Sequence, residues 1–459
     1  MPFRMRLSPA TIVAAFAALL APSVAGAEAA WETWPSGRTF DSPVSRPQGL
    51  ARVCSLDAPL CVHAKDGAAA VSALAIAESA LGTLSIQSRL PPPMPDGDRG
   101  GSSAFDLYLA DTGARTLRIG TELPTSMPVD RAATFAIVSA RLPDGCGRRT
   151  AIARAVATGM LAAIDGGESG GYFSATASYL AASATGCWSS VLAGIDDAQR
   201  HPERAIIAAG DLDDDSSVVL PLYVDGGFGG GAPGSLLTAL WYGGRQRTPE
   251  DATRFHNQPD AWEVLRRVGR TKDKKLDEIM LDFAIARGFW GSREDTQHIN
   301  ESAFAGDFGR VRFDASWPYA TLPRRVAFTE LEPTGSTYAW IDLAGAPASL
   351  VLGIHAEWES PVTMRWAVVR VGLDGEEVSR IEVTTERGIH VVERSIHELS
   401  NLSGLLIVGI NVGEIAIDHP FRVDEAPYEP HGGTLYVAPQ LAAPARRRTA
   451  ARNPKATAT

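Results

Sequence analysis

Hydrophobic and polar positions divide this chain into stretches of different period. Segment 31–63 reads as an irregular or short-stranded lead-in. An alanine-rich run over 67–84, with Val71, Leu74, Ile76 and Leu81 among its apolar positions, predicts a helix. The run Pro91-Pro92-Pro93-Met94-Pro95-Asp96-Gly97 must stop it, since proline lacks an N–H and pushes the preceding residue towards extended geometry. Phe105-Asp106-Leu107-Tyr108-Leu109 and Thr134-Phe135-Ala136-Ile137-Val138 read as strands of a buried sheet. From 150 to about 296 the spacing turns helical. Ile152, Val156 and Met160 share one face, 172–184 forms a second helix, and Trp262, Val264, Leu265 and Val268 begin a third. Leu276, Ile279, Met280, Phe283 and Ala286 make an apolar stripe with Lys274, Lys275, Asp277, Glu278 and Asp282 off it.

From about Gly309 the period changes to two. Seven short runs, 338–343, 350–358, 364–373, 378–383, 390–396, 405–412 and 434–437, are separated in several places by turn residues such as Asp374-Gly375. That number of strands at that spacing predicts an antiparallel sandwich. No internal repeat is visible.

The amino terminus has a different logic. Arg4 and Arg6 precede an apolar stretch, 11–21, too short to span a bilayer, and Ala25-Gly26-Ala27 fits the small-x-small cleavage rule. Residues 1–27 are therefore predicted to be a signal peptide, with a mature start near Glu28 and a destination in the periplasm or the medium. No cysteine follows the apolar stretch, so a lipid anchor is not indicated, and no later run is expected to span a membrane. The four cysteines then belong to an oxidising compartment. Cys54 with Cys61, across a six-residue loop, and Cys146 with Cys187 are the favoured pairs. Zinc at these cysteines fails on spacing, because there is no C-x-x-C and only His63 is near.

At 459 residues with 45% hydrophobic content the chain can hold two or three domains. Its net charge of −10 becomes −12 once Arg4 and Arg6 leave with the signal. Setting aside Arg446, Arg447, Arg448, Arg452 and Lys455, which form a basic, unpatterned tail expected to be disordered, leaves −17 on the body. An acidic body argues against nucleic acid as the partner.

Candidate chemistry is sparse. Gly167-Glu168-Ser169-Gly170-Gly171 has the letters of a serine-hydrolase elbow, but the residues before it are helical in pattern where the elbow needs a strand, so Ser169 reads as structural. Asp211, Asp213 and Asp215 alternate as in a calcium loop, yet Ser216 and Leu222 stand where an EF-hand needs glycine and an acid. Asp225-Gly226-Gly227-Phe228-Gly229-Gly230-Gly231 lacks the Gly-Lys-Ser or Gly-Lys-Thr ending of a phosphate loop. His397-Glu398 lacks the second histidine of a zinc peptidase, position 401 being Asn401. Trp358 or Trp366, if exposed, could stack on a sugar.

The order of elements resembles a group of exported myxobacterial-type zinc metallopeptidases. The segments that carry the likeness are Ala75-Ile76-Ala77-Glu78-Ser79-Ala80-Leu81-Gly82 and Pro95-Asp96-Gly97-Asp98-Arg99-Gly100-Gly101 leading into the 105–109 strand. Pro333-Thr334-Gly335-Ser336-Thr337-Tyr338 and Glu357-Trp358-Glu359-Ser360-Pro361-Val362 also resemble uncharacterised exported proteins of the same bacteria. The resemblance implies a His-Glu-x-x-His helix and a later glutamate. Matched by order, those places hold Arg154-Ala155-Val156-Ala157-Thr158 and Ser174-Ala175-Thr176-Ala177, so every ligand and the catalytic glutamate are replaced. The expectation is an α+β protein. A peptidase-like, mostly helical domain with a small sheet (28–308) precedes a C-terminal antiparallel β-sandwich (309–440) and the tail (441–459). It has no catalytic, metal or cofactor-binding residues and serves as an exported binding or scaffold protein for an envelope protein or a glycan. A secreted hydrolase with an unrecognised site and a glycan-binding module are the alternatives.

Overall fold

The computed structural model describes residues 44–122, 130–207, 212, 217–226, 233–245, 259–291, 297–298, 309–360, 362–383, 388–413 and 429–440. The predicted signal 1–27, the tail 441–459 and the alternating Asp211, Asp213 and Asp215 lie outside the described residues. Helices and several sheets together make an α+β chain.

The lead-in contains a hairpin. β1 (Ala51–Cys54) pairs antiparallel with β2 (Leu60–Ala64), and Cys54, directly opposite Cys61, is bridged to it. β3 (Phe105–Ala110) runs parallel to β2, and β5 (Ala133–Ser139) runs parallel to β3. β4 (Leu117–Glu122) closes the order β1-β2-β3-β5-β4 antiparallel to β5. β5 is buried along its whole length, which explains why Phe135, Ala136, Ile137 and Val138 run apolar without alternation.

α1 (Gly67–Gln87) starts at Asp66, whose carboxylate accepts from the N–H groups of Ala68 and Ala69. Its buried stripe is Ala70, Ala73, Leu74, Ala77, Leu81 and Leu84, while Val71 faces out at 57% exposure. By length and a mean hydropathy of 1.6 this helix could cross a membrane, contrary to the sequence expectation that no run after the signal would qualify. It packs chiefly against α2 (Cys146–Ala162) and β2. α2 and α3 (Gly170–Thr185) are both buried on nearly all sides from Thr150 to Ala182. Small side chains make this possible: Ala80, Ala153 and Ala181 meet where the three helices approach one another. Gly186, at φ 64, ends α3 in left-handed geometry, and Cys187 next to it is bridged to Cys146 at the start of α2. The other face of the first sheet takes the lead-in, with Val44 and Leu50 against Tyr108, Phe135 and Ile137.

α4 (Leu192–Arg200), α5 (Val219–Val224), α6 (Ser235–Gly244), α7 (Ala261–Arg270) and α8 (Leu276–Phe289) complete the helical part. α7 begins in a capping box between Asp260 and Glu263.

Beyond Gly309 the strands form two sheets that share a core. The second sheet has the order β11-β10-β13-β8-β6, built from β6 (Ala315–Pro318), β8 (Ser336–Asp342), β10 (Met364–Gly372), β11 (Glu377–Val383) and β13 (Leu402–Asn411). The third is β12-β9-β14-β7, from β7 (Arg324–Leu331), β9 (Val351–Trp358), β12 (Val391–Ile396) and β14 (His431–Gln440). Ile341, Val368 and Ile407 face Leu352, Ile354 and Val437 across the shared core. The second sheet is not wholly antiparallel, because β6 runs parallel to β8. Among β7 to β14 only β10 and β11, joined at Asp374-Gly375, are sequence neighbours that pair. Every other consecutive pair changes sheet.

α8 packs on the far face of the second sheet, where Tyr338, Val369, Leu406, Val408 and Ile410 belong to the same core as the helices. A Cβ at Gly288 would lie 2.5 Å from Leu406 Cδ2, so glycine lets helix and sheet approach. Charges predicted to lie off the apolar stripe of α8 are used here. Asp277 is buried against Arg365 of β10, and Asp282 meets Arg380 of β11 at 2.6 Å. The second sheet is thus covered on both faces, whereas among the described residues no helix packs on the third.

The same seam carries a pH-dependent contribution. Burial would raise the Glu377 carboxyl, but hydrogen bonds from His298 and Arg380, with the Arg380 charge, override it and hold it at about 2. Its folded value is below the unfolded one, so its stabilisation is present above about pH 4.5 and is lost as pH falls towards 2. Urea titrations should show Glu377→Gln less stable than the parent by on the order of 2 kcal/mol near neutrality, converging with it at pH 2. A constant gap across that range would count against the assignment.

Candidate functional site

The places matched to a zinc helix and its later glutamate come together. α2 and α3 lie side by side, and Arg154 Nη2 donates to Ser174 Oγ at 2.7 Å. Thr158 Oγ1 donates back to the Arg154 carbonyl at 2.8 Å. Arg154 is 6% exposed, and Thr158, Ser174 and Thr176 are at 1% or less. Zinc requires neutral imidazoles, thiolates or carboxylates converging from at least three side chains. This face supplies hydroxyls and a guanidinium, whose charge repels a metal cation, so the donor set does not fit zinc. Among the described residues no three His, Cys, Asp or Glu are grouped to hold a metal.

Ser169 does not stand on an elbow. It follows the turn after α2 and caps α3, its Oγ accepting the Tyr172 N–H at 3.4 Å. It is buried, at 2% exposure. Nearby, Asp165 Oδ1 accepts from the Gly167 N–H at 2.8 Å. Burial and the Glu168 charge push the Tyr172 hydroxyl far above its usual value, so it stays protonated. These groups shape the link between α2 and α3.

Asp225 opens the glycine-rich run, of which 227–231 lie outside the described residues. Its carboxylate accepts from the Tyr179 hydroxyl and the Gly234 N–H, each at 2.7 Å, and so holds the start of α6. Burial nevertheless keeps it above the normal carboxylate range. His397 and Glu398 lie in the turn after β12, with Glu398 and Asn401 at φ 60 and 63, where no helical face can form. Trp358 and Trp366 are 4% and 3% exposed, their rings 6.3 Å apart in the core between the sheets. Neither can stack on a sugar, and this corrects the basis of the glycan-binding alternative.

The exposed face of the third sheet is different. One row crosses all four strands in register, Glu393 on β12, His355 on β9, Tyr436 on β14 and Arg325 on β7. The row beside it is Ser395, Gly353 and Ala438. Two residues with little or no side chain lower the floor there, and an open groove of about 790 Å³ results, with Glu357, Thr434, Arg394 and Gln440 around it. Gln440 lies over Gly353, where a Cβ would come within 2.3 Å of its Nε2, and its Oε1 accepts from Ser395 Oγ at 2.7 Å. His355 Nδ1 is 2.9 Å from Glu393 Oε1. Tyr436 is 40% exposed. None of these residues stood out in the sequence. The usable signal was alternation, with the polar members of 353–357 and 434–440 on one face, but the row emerges only from the non-sequential strand order.

No family model matches the chain, and no curated protein matches it. Among solved structures, the pre-peptidase C-terminal domain of a collagenase from Bacillus anthracis is similar at 8% identity, over 28% of this chain and 97% of that chain, with a TM-score of 0.17. The VP2 subviral particle of infectious bursal disease virus is similar at 14% identity, over 26% of this chain and 32% of that chain, with a TM-score of 0.17.

Proposed function

We propose that the chain is an exported, non-catalytic binding or scaffold protein of the cell envelope or extracellular space. In this reading a peptidase-like helical part without metal ligands carries a C-terminal β-sandwich. The observation that supports it most is the Arg154–Ser174 hydrogen bond, which fills with a buried cation the place where a metallopeptidase would need a metal. Two disulfides fit an oxidising extracellular or periplasmic setting. The hydrolase alternative through Ser169 loses ground, because that hydroxyl caps a helix and a nucleophile needs an adjacent base and an oxyanion hole.

Protein purified from an oxidising compartment should hold well below one equivalent of zinc after dialysis, measured by elemental analysis, and should resist labelling by a fluorophosphonate. Stoichiometric zinc, or labelling lost in Ser169→Ala, would overturn the reading. Ser169→Ala should lower stability by about 1 kcal/mol, the usual cost of losing a helix N-cap, rather than leaving it unchanged as a surface position would.

A further inference from the structure

We propose that the open face of the third sheet is a binding site for a neutral polysaccharide, with Tyr436 as its stacking platform. The inference rests on the binding-protein reading and names its ligand class. A groove of about 790 Å³ falls within the roughly 300–1,000 Å³ of small-molecule sites and has room for a short stretch of a polymer.

The chemistry of the lining selects the occupant. Arg325 and Arg394 oppose Glu357 and Glu393, so the groove has no net charge to attract an ionic polymer. Much of the polar equipment is already turned inward. Glu393 meets His355, Gln440 meets Ser395, Arg325 Nη2 donates to Thr434 Oγ1 at 3.4 Å, and Arg394 Nη1 donates to the Glu393 carbonyl at 2.7 Å. What remains is a close mixture of donors and acceptors beside a half-exposed aromatic ring. Hydroxyls of a sugar can serve both kinds of partner, and the C–H face of a pyranose matches an aromatic face whose phenol stays wet. A peptide in this place would instead require apolar pockets for side chains, and the floor offers only Gly353 and Ala438. Trp358, the tryptophan of these four strands, is spent on the core, which leaves tyrosine as the aromatic in the row.

The test uses the full mature chain and three probes, cellulose, chitin and amylose, in a pull-down and in affinity electrophoresis, with heparin as a charged comparison. Retention on at least one neutral polymer is expected, persisting in 0.5 M salt. Tyr436→Ala should weaken it at least tenfold, while Tyr242→Ala, which removes an exposed tyrosine on α6, should leave it unchanged. A second variant, Ala438→Trp, fills the floor without removing any polar group and should also abolish retention. Circular dichroism of each variant checks the fold. No retention on any of the three polymers, retention equal in Tyr436→Ala, or binding to heparin alone would overturn the site. Reducing-end release is measured in the same samples. Cleavage of a bound polymer would refute the non-catalytic reading while leaving the groove, and absent retention without cleavage would do the reverse.

Discussion

Arg46→Met is expected to be among the most destabilising single substitutions in the chain, at about 3–5 kcal/mol near neutral pH, because it strands buried carboxylates. The Arg46 guanidinium reaches Asp96 at 2.5 Å, Glu122 at 2.8 Å, Asp106 and the Tyr108 hydroxyl, and it lies 4.5 Å over the Phe135 ring. Asp96 and Asp106 are 5% and 0% exposed. Burial already lifts the Asp96 carboxyl despite Arg46, and the charges of Asp106 and Glu122 push the same way. Without the arginine the main opposing charge is gone and only the hydrogen bond from the Arg99 N–H still lowers it, so the Asp96 carboxyl rises further above its unfolded value. The penalty is therefore full at high pH and shrinks as pH falls and the folded carboxyls take up protons. Urea unfolding at pH 7 and pH 5 should show a wide gap between variant and parent at the first and a narrower one at the second. A loss under 1 kcal/mol, or one equal at both pH values, would show that the cluster is solvated rather than dependent on Arg46.

The second large effect concerns the disulfides. All four cysteines are bridged. The Cys146–Cys187 bridge spans 41 positions and the Cys54–Cys61 bridge spans 7. On the chain-entropy account, removing the first with paired Cys→Ser changes should cost about 4 kcal/mol and removing the second about 2.5 kcal/mol. The position of the larger loop reinforces the ranking, since it joins the first residue of α2 to the second residue after α3 and so closes the helix pair that contains Arg154 and Ser174. Chemical denaturation of the two double variants provides the comparison. Equal costs would mean that native-state contacts, rather than the unfolded chain, dominate both.

Much of the architecture was legible because it rests on local period. The apolar spacing of 276–286 marks α8, the run at 134–138 marks β5, and the even cysteine count with two plausible loops gives both bridges. Local reading failed where the determinant is distant. The buried face of α1 uses alanines rather than Val71, because what matters is how closely α2 can approach. Asp277 is acidic and buried because Arg365 faces it from a strand almost ninety positions away. β4 and α4 are short, and their single apolar faces are too brief to stand out from polar neighbours. The groove was hidden most completely. Glu393, His355, Tyr436 and Arg325 form a row only after four strands from different parts of the chain are placed side by side, and no window along the sequence contains them.

The place of β14 has a consequence for how the molecule is made. This last described strand lies not at an edge but between β9 and β7, hydrogen-bonded on both sides. A chain delivered from its amino end has β7, β9 and β12 in hand well before β14 arrives, and until then β7 has no partner in its own sheet. Two unpaired strand borders stand open in that interval, the arrangement most prone to joining the wrong neighbour. Insertion of β14 seals both at once and places Tyr436 in its row, so a chain cut short before 431 would lack that row however well its helices had folded.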